Sequence, residues 1–159
     1  MKNKLNENFM RQAIQEARKN LKKMQGGPFG ACIVKNGRVL AVAGNTVLKE
    51  DATAHAEINA IRAASQKIKN FDLSGCSIYS TTEPCPMCFS AIHWAKIKTI
   101  CYGTGINDAR KIGFNELSIT NIDMKRLGKS KIKIFKGVLL KECLELFRDW
   151  DKLENKRLY

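Results

Sequence analysis

Apolar residues recur along the chain with a helical period near its start. From Asn6 to Met24, Phe9, Met10, Ala13, Ile14, Ala17, Leu21 and Met24 fall on one side of a helix, and Gly26-Gly27-Pro28 ends the pattern. The period then shortens. "FGACIVKNGRVLAVAG" carries two apolar runs around Asn36-Gly37, a pair that readily takes positive φ, so two antiparallel strands joined by a tight turn are expected. Thr53 is expected to cap a second helix, with Ile58, Ala60, Ile61 and Ala64 as its inner face. A strand through "CSIYSTT" leads to Pro84, which suits the first position of a helix, so a third helix is expected to open at "CPMC". "KTICYG" and "KIKIFKGV" read as two further strands, and Leu139 to Leu153 as a last amphipathic helix with Leu140, Leu144, Phe147, Trp150 and Leu153 inward.

Strands alternating with helices after an initial hairpin predict an α/β fold, with a mixed, mostly parallel five-stranded sheet covered by helices on both faces. The stretch from Gly103 to Lys129 shows no regular pattern. A connection of that length is either a plain linker or a segment that covers a substrate.

Composition narrows the class. A chain of 159 residues fits one domain, and its 44% hydrophobic and 27% charged residues suit a globular protein. No apolar run approaches the roughly 18 residues of a membrane span, and the opening "MKNKLNENFMRQ" has no apolar segment of a secretory signal, so a cytoplasmic location is expected. The six cysteines then read as thiols or metal ligands, with Cys32, Cys76, Cys101 and Cys143 as small buried hydrophobes. The net charge of +13 favours anionic partners, nucleic acid among them, although the lysines are scattered without interleaved aromatics.

Two cysteines are different. Cys85 and Cys88 lie three apart at a predicted helix start, a spacing that brings both sulfurs to one ion, and the helix N-terminus favours their ionisation. His55, at another predicted helix start, is the third candidate ligand. Two thiolates and a neutral imidazole match Zn²⁺ in softness and charge. No second Cys-x-x-Cys is present, and His93, beside Trp94, reads as a packing or surface residue, so water is expected in the fourth position. Glu57, two residues after His55, points away from the ligand's direction, as a proton carrier beside a metal should. Zinc lowers the pKa of a bound water to about 7.

His55-Ala56-Glu57 followed by Pro84-Cys85-Pro86-Met87-Cys88 is the pattern of zinc-dependent nucleobase deaminases, and the sequence resembles the cytidine deaminase superfamily over nearly its whole length. The finer resemblance is to bacterial guanine deaminases, through "GGPFGACIVKNG", "TAHAEINAIR", "EPCPMCFSAIHWA" and the terminal "ENKRLY". It implies the three-layer α/β/α fold of that superfamily, one zinc per subunit, and conversion of guanine to xanthine and ammonia. It also implies a homodimer that exchanges its last helix, so that Tyr159 enters the partner's site. The same resemblance suggests Phe29 as a stacking face and Asn45 as a donor to the base, and sets Trp94 in an outer shell. From the residues alone, Phe29 is equally a core residue, Asn45 a turn residue and "RLY" a frayed end.

The family's "GF" pair is followed by an aspartate that accepts from guanine's N–H groups; here Gly113-Phe114 is followed by Asn115, whose amide adds a donor. That departure keeps adenosine in tRNA, or a cytosine or triazine base, open as alternative substrates. A non-catalytic zinc-containing nucleic-acid-binding module is the reading from a different class.

Overall fold

The computed structural model describes residues 5–159. Helix α1 (Glu7–Lys23) begins where Asn6 accepts a hydrogen bond from the Asn8 N–H through its side chain, and ends at Met24 in the left-handed conformation. Strands β1 (Gly30–Lys35) and β2 (Arg38–Gly44) pair antiparallel through a turn in which Asn36 and Gly37 both take positive φ, 49° and 74°. Helix α2 (Ala56–Ile68), strand β3 (Cys76–Thr82), helix α3 (Pro86–Trp94) and strand β4 (Thr99–Thr104) follow as two strand and helix alternations. Short helices α4 (Ile106–Lys111) and α5 (Asn121–Leu127) precede strand β5 (Lys133–Lys136) and helix α6 (Leu140–Asp151).

The five strands lie in the order β2-β1-β3-β4-β5. β1 runs antiparallel to β2 and β3, whereas β3, β4 and β5 run parallel, which gives the expected mixed sheet. Strand side chains alternate between two cores. Cys32, Val34, Tyr79 and Cys101 face α1 and α6, against Met10, Ala13, Ala17, Leu146, Phe147 and Trp150. Ala31, Ile33, Ile78 and Ile100 face α2 and α3, against Ala56, Ala60, Ala64, Phe89 and Ile92. The result is a three-layer α/β/α architecture. Cys32, Cys76, Cys101 and Cys143 are all buried free thiols. Among the described residues no helix is long and apolar enough to cross a membrane.

Four local expectations are corrected. Thr53 does not cap α2: its hydroxyl donates to Asp51 Oδ1 at 2.6 Å, within an Asx turn, and His55 takes the N-cap position without a side-chain cap. Pro84 lies before the third helix, whose N-cap is Cys85 and whose first-turn proline is Pro86. The supposedly irregular 103–129 stretch contains α4 and α5, helices of six and seven residues that are too short to show a period. Thr120 and Asp123 cap α5 reciprocally, and Asp108 accepts from the Gly105 N–H at 3.0 Å at the start of α4, so both helices carry a local capping signal. The buried side of α6 is Cys143, Leu146, Phe147 and Trp150, while Leu140 is exposed and Leu144 and Leu153 sit at the margin. The sheet beneath α6 accepts a wider face than one leucine stripe.

α6 packs on its own α1 and β4, and the tail beyond Asp151 returns to its own chain's Asn45 through Tyr159. Eight residues separate the end of the helix from the C-terminus, enough length for the contact to close within one chain.

α1 crosses β1 so closely that a methyl group at Gly30 would collide with the Ala13 carbonyl oxygen and crowd the Ala17 N–H at 3.0 Å. Gly30→Ala is therefore expected to destabilise the protein by roughly 1–3 kcal/mol, read as a lower midpoint in urea unfolding.

Candidate active site

The N-termini of α2 and α3 meet at the carboxyl end of β3, where the parallel part of the sheet opens a crevice. The backbone geometry at both helix starts is the same. His55 and Cys85 are N-cap residues with extended backbone, ψ 156° and 168°, so each side chain projects off the helix end and away from its own first turn. Cys88 is the third residue of α3, and an N-cap side chain naturally meets the third position across a helix's first turn. Cys85 Sγ lies 3.7 Å and Cys88 Sγ 3.6 Å from His55 Nδ1. Sulfur and nitrogen ligands at tetrahedral angles around one zinc ion stand about 3.5 Å apart, so the three donors already have the spacing that zinc requires. No fourth His, Cys, Asp or Glu joins this group among the described residues.

The two thiols differ in acidity. The hydrogen bond from Cys88, opposed by burial and assisted by His55, pulls Cys85 down to about 4. The same bond to Cys85, together with burial, holds Cys88 well above the ordinary thiol value. Burial lowers the pKa of His55, but the hydrogen bond to Cys85 and the charge of Glu57 outweigh it and leave a net increase.

Glu57 stands behind this group, buried to 6% exposure. Ser80, on the face of β3 turned toward α2, donates its hydroxyl to Glu57 Oε1 at 2.7 Å, while Cys88 Sγ lies 3.5 Å from Oε2. Burial raises the Glu57 pKa above the usual carboxylate range, only partly offset by His55. One oxygen is fixed and the other faces the ligands, an arrangement suited to carrying a proton.

In front of the ligands is a cavity of about 210 Å³, bounded by Phe29, Asn45, Thr82, Glu83 and the segment Phe114-Asn115-Glu116, with Tyr159 across its mouth. Phe29 is half-buried, edge-on to Phe114 at 4.9 Å between ring centres. Asn45 is 1% exposed. Its Oδ1 accepts from the Val47 N–H at 3.2 Å and the Tyr159 hydroxyl at 2.8 Å, so the amide group it can offer to a ligand is its Nδ2 donor. The Tyr159 hydroxyl also accepts from the Gly27 N–H at 3.0 Å, and its ring meets Phe114 edge-on. Burial raises the pKa of that hydroxyl, which keeps its donor proton. Asn20, an amide on the buried side of α1, ties the assembly together by donating to the Gly27 and Asn45 carbonyls at 3.1 and 2.6 Å.

The structure thus brings His55, Glu57, Cys85, Cys88, Phe29, Asn45, Asn115 and Tyr159 to one place, and leaves Trp94 out. Trp94 is 78% exposed at the far end of α3, beside the exposed His93, and shapes a different hollow with Phe89 and Met124. Sequence reasoning overlooked Ser80, Asn20 and Glu83, and Glu116, next to Asn115, also lines the cavity. Burial, and secondarily the negative charge of Cys85, pushes Glu116 up to about 7. Only Ser80 was recoverable without the fold, by counting strand positions from Ile78.

Comparison with known proteins agrees with this geometry. Residues 3–104 match the model of the cytidine and deoxycytidylate deaminase zinc-binding region. The chain is 37% identical to the guanine deaminase of Bacillus subtilis over 154 residues, covering 96% of this chain and 98% of that one. It is 35% identical to a tRNA-specific adenosine deaminase of Buchnera aphidicola over 131 residues, 82% of each chain. The solved guanine deaminase of Nitrosomonas europaea superposes with a TM-score of 0.85 at 28% identity, covering 94% of this chain and 86% of that one. A helix-capping His and Cys, a third-position Cys and a buried glutamate behind them, on this sheet and in this order, place the chain in the cytidine and deoxycytidylate deaminase family of zinc-binding deaminases.

Proposed function

We propose that the protein is a cytoplasmic, single-domain guanine deaminase, acting as a homodimer and hydrolysing the free base to xanthine and ammonia. One observation carries this reading: the cavity in front of the three ligands is closed on one side by Asn45 and Tyr159 and holds about 210 Å³, below the roughly 300–1,000 Å³ of drug-sized sites. Such a space suits a bare heterocycle. The guanine deaminase relative aligned from end to end supports the choice of base.

His55 Nδ1, Cys85 Sγ and Cys88 Sγ would hold the zinc ion, which when bound supplies an activated water beside the amino-bearing carbon. Once both thiols have lost their protons, the contact from Cys88 to Glu57 Oε2 is released and that oxygen is free to act. Glu57 Oε2 takes the first proton of the attacking water and gives it to the ring nitrogen as the C–O bond forms. It then takes the second from the added hydroxyl and gives it to the amino group, so that the C–N bond breaks and ammonia leaves a carbonyl, while Ser80 keeps Oε1 in place. Phe29 supplies a stacking surface and Asn45 Nδ2 donates to the base's carbonyl edge. Asn115 and Glu116 meet the opposite edge, where guanine presents donors. The amide of Asn115 is a poor partner there, and Glu116 supplies acceptors once it ionises.

Deamination of adenosine in tRNA is the second reading, favoured by Asn115 and the net charge of +13. Both readings use the same proton carrier. A non-catalytic zinc module is disfavoured by the three-ligand set.

Ammonia release by the zinc-loaded protein, measured against a panel of guanine, adenine, cytosine and a tRNA, is expected to be fastest with guanine. Glu57→Gln is expected to lower it by about 10²–10⁴-fold with one zinc per chain retained. Unchanged turnover in that variant would remove Glu57 from the mechanism. Asn115→Asp should raise kcat/KM for guanine by about ten-fold, equivalent to ~1.4 kcal/mol; a loss would show that this edge reads the base differently. Glu116 gives a pH dependence of definite sign. Its raised pKa keeps it protonated below about 7 and an acceptor above it, so KM for guanine should fall as pH rises through that value. Glu116→Gln, which never becomes a carboxylate, should flatten the profile, and a wild-type KM that rises instead would reverse the assignment.

A further inference from the structure

Glu83 is a buried carboxylate, 7% exposed, to which the proposed chemistry assigns nothing. It follows β3 and precedes Cys85 by two residues. Its backbone N–H donates to the Thr104 carbonyl at 2.8 Å, which locks its position to the end of β4. Its two side-chain oxygens then reach in different directions. Oε2 accepts from the Ile106 N–H at 3.3 Å, and Oε1 accepts from the Asn121 N–H at 2.7 Å. Ile106 is the first residue of α4 and Asn121 the first of α5. Asn121 is fully buried and closes a second link to the same strand end, donating Nδ2 to the Pro84 carbonyl at 2.5 Å.

The consequence concerns what lies between those two helices. Residues 112–120 contain Phe114, Asn115 and Glu116, which form the cavity wall opposite the ligands. Phe114 anchors the front of this segment by packing its buried ring on Phe29, Trp150 and Tyr159, whereas from Asn115 to Ile119 the hydrogen bonds are local, the Glu116 N–H reaching the Phe114 carbonyl and Arg110 meeting Ser118. Asn115 itself is exposed. One carboxylate therefore ties the helices on both sides of this wall to the strand end from which the Cys85-Cys88 turn springs.

We propose that Glu83 is a positioning residue that sets the base-reading segment 112–120 at a fixed distance from the zinc ligands, so that ligand geometry and base recognition share one anchor. Glu83 borders the cavity, and each of its two oxygens accepts from the main chain of a different helix, which fixes the carboxylate's orientation. The carboxylate matters as an acceptor with two faces. A glutamine offers one acceptor and one NH₂, and the NH₂ would oppose a main-chain N–H, releasing one of the two helices.

The test is Glu83→Gln in the zinc-loaded full chain, read by amide hydrogen exchange and zinc content, with guanine kinetics as a second arm that rests on the function proposed above. Exchange across 106–121 is expected to rise by about ten-fold or more while α1 and β1 stay as protected as in the wild type and one zinc per chain is retained. KM for guanine should rise by about ten-fold with kcat changed by less than about three-fold, the signature of a displaced binding wall. A folded variant with unaltered exchange in 106–121, or one that loses zinc while that segment stays protected, overturns the proposal. A kcat loss at constant KM does so too. If Glu83→Gln fails to fold, Glu83→Asp keeps both acceptors on a stem one methylene shorter, unable to span both helices, and is read by the same exchange criterion. A wild-type protein inert toward guanine would sink the choice of substrate and leave the exchange result to decide the role of Glu83.

Discussion

The site depends on two helices starting at the same point in space. α2 and α3 lie side by side on one face of the sheet, and each begins with a residue whose backbone is still extended. That conformation frees the N-cap side chain from its own helix. In an ordinary helix the N-cap side chain would satisfy the first-turn N–H groups, yet neither His55 nor Cys85 does so. The missing caps leave partial positive charge where thiolates will sit, which favours their ionisation. Lost local stability and gained ligand geometry are the same feature.

Around this point the polar groups are arranged so that each has one task. Ser80 fixes one oxygen of Glu57 and leaves the other toward the ligands. Asn20 fixes the carbonyl of Asn45, and Tyr159 fixes its side-chain oxygen, which leaves the amide as a donor. Asn59 Nδ2 donates to the Gly44 and Ala54 carbonyls and to Thr46 Oγ1, pinning the loop between Asn45 and His55 to α2. Buried amides and hydroxyls aim the reactive groups, and in a low-dielectric pocket such aim has large energetic consequences.

What could be read from sequence follows from how local each feature is. The hairpin at Asn36-Gly37, the boundaries of β3 and the start of α3 at Cys85 are written in adjacent residues, and they were legible. The ligand set was legible too, because metal chemistry restricts residue type and spacing more severely than packing does. α4 and α5 were not, since six and seven residues make fewer than two helical turns and are held by Glu83 and the acidic caps Asp108 and Asp123 rather than by an apolar stripe. Thr53 misled because Asp51 precedes it: an aspartate two residues earlier competes for the hydroxyl and turns a helix cap into an Asx turn. The burial of Asn20, Ser80 and Glu83 is a property of contacts with distant segments. The resemblance set Trp94 in an outer shell of the site, but here the nine-residue α3 carries its exposed indole to the end opposite the cysteines.

The family match ends between two parts of the molecule that meet different physical demands. Residues 3–104 match the family model, and they include His55, Glu57, Cys85, Cys88 and Ser80. Phe114, Asn115, Glu116 and Tyr159 lie beyond it, in short helices and a terminal tail held by a few hydrogen bonds and ring contacts. A proton carrier and three ligands must keep their geometry to within tenths of an ångström, which demands placement on rigid elements of a common sheet. A wall that reads the edge of a base need only present the right sequence of donors and acceptors, and one side chain at Asn115 can alter that sequence without disturbing the sheet. The same scaffold can therefore serve different bases while its hydrolytic chemistry stays fixed, provided the variable wall remains anchored to the constant part. Here part of that anchorage passes through Glu83, at the strand end next to Cys85, where a change in the wall and a change in the ligands would be felt together.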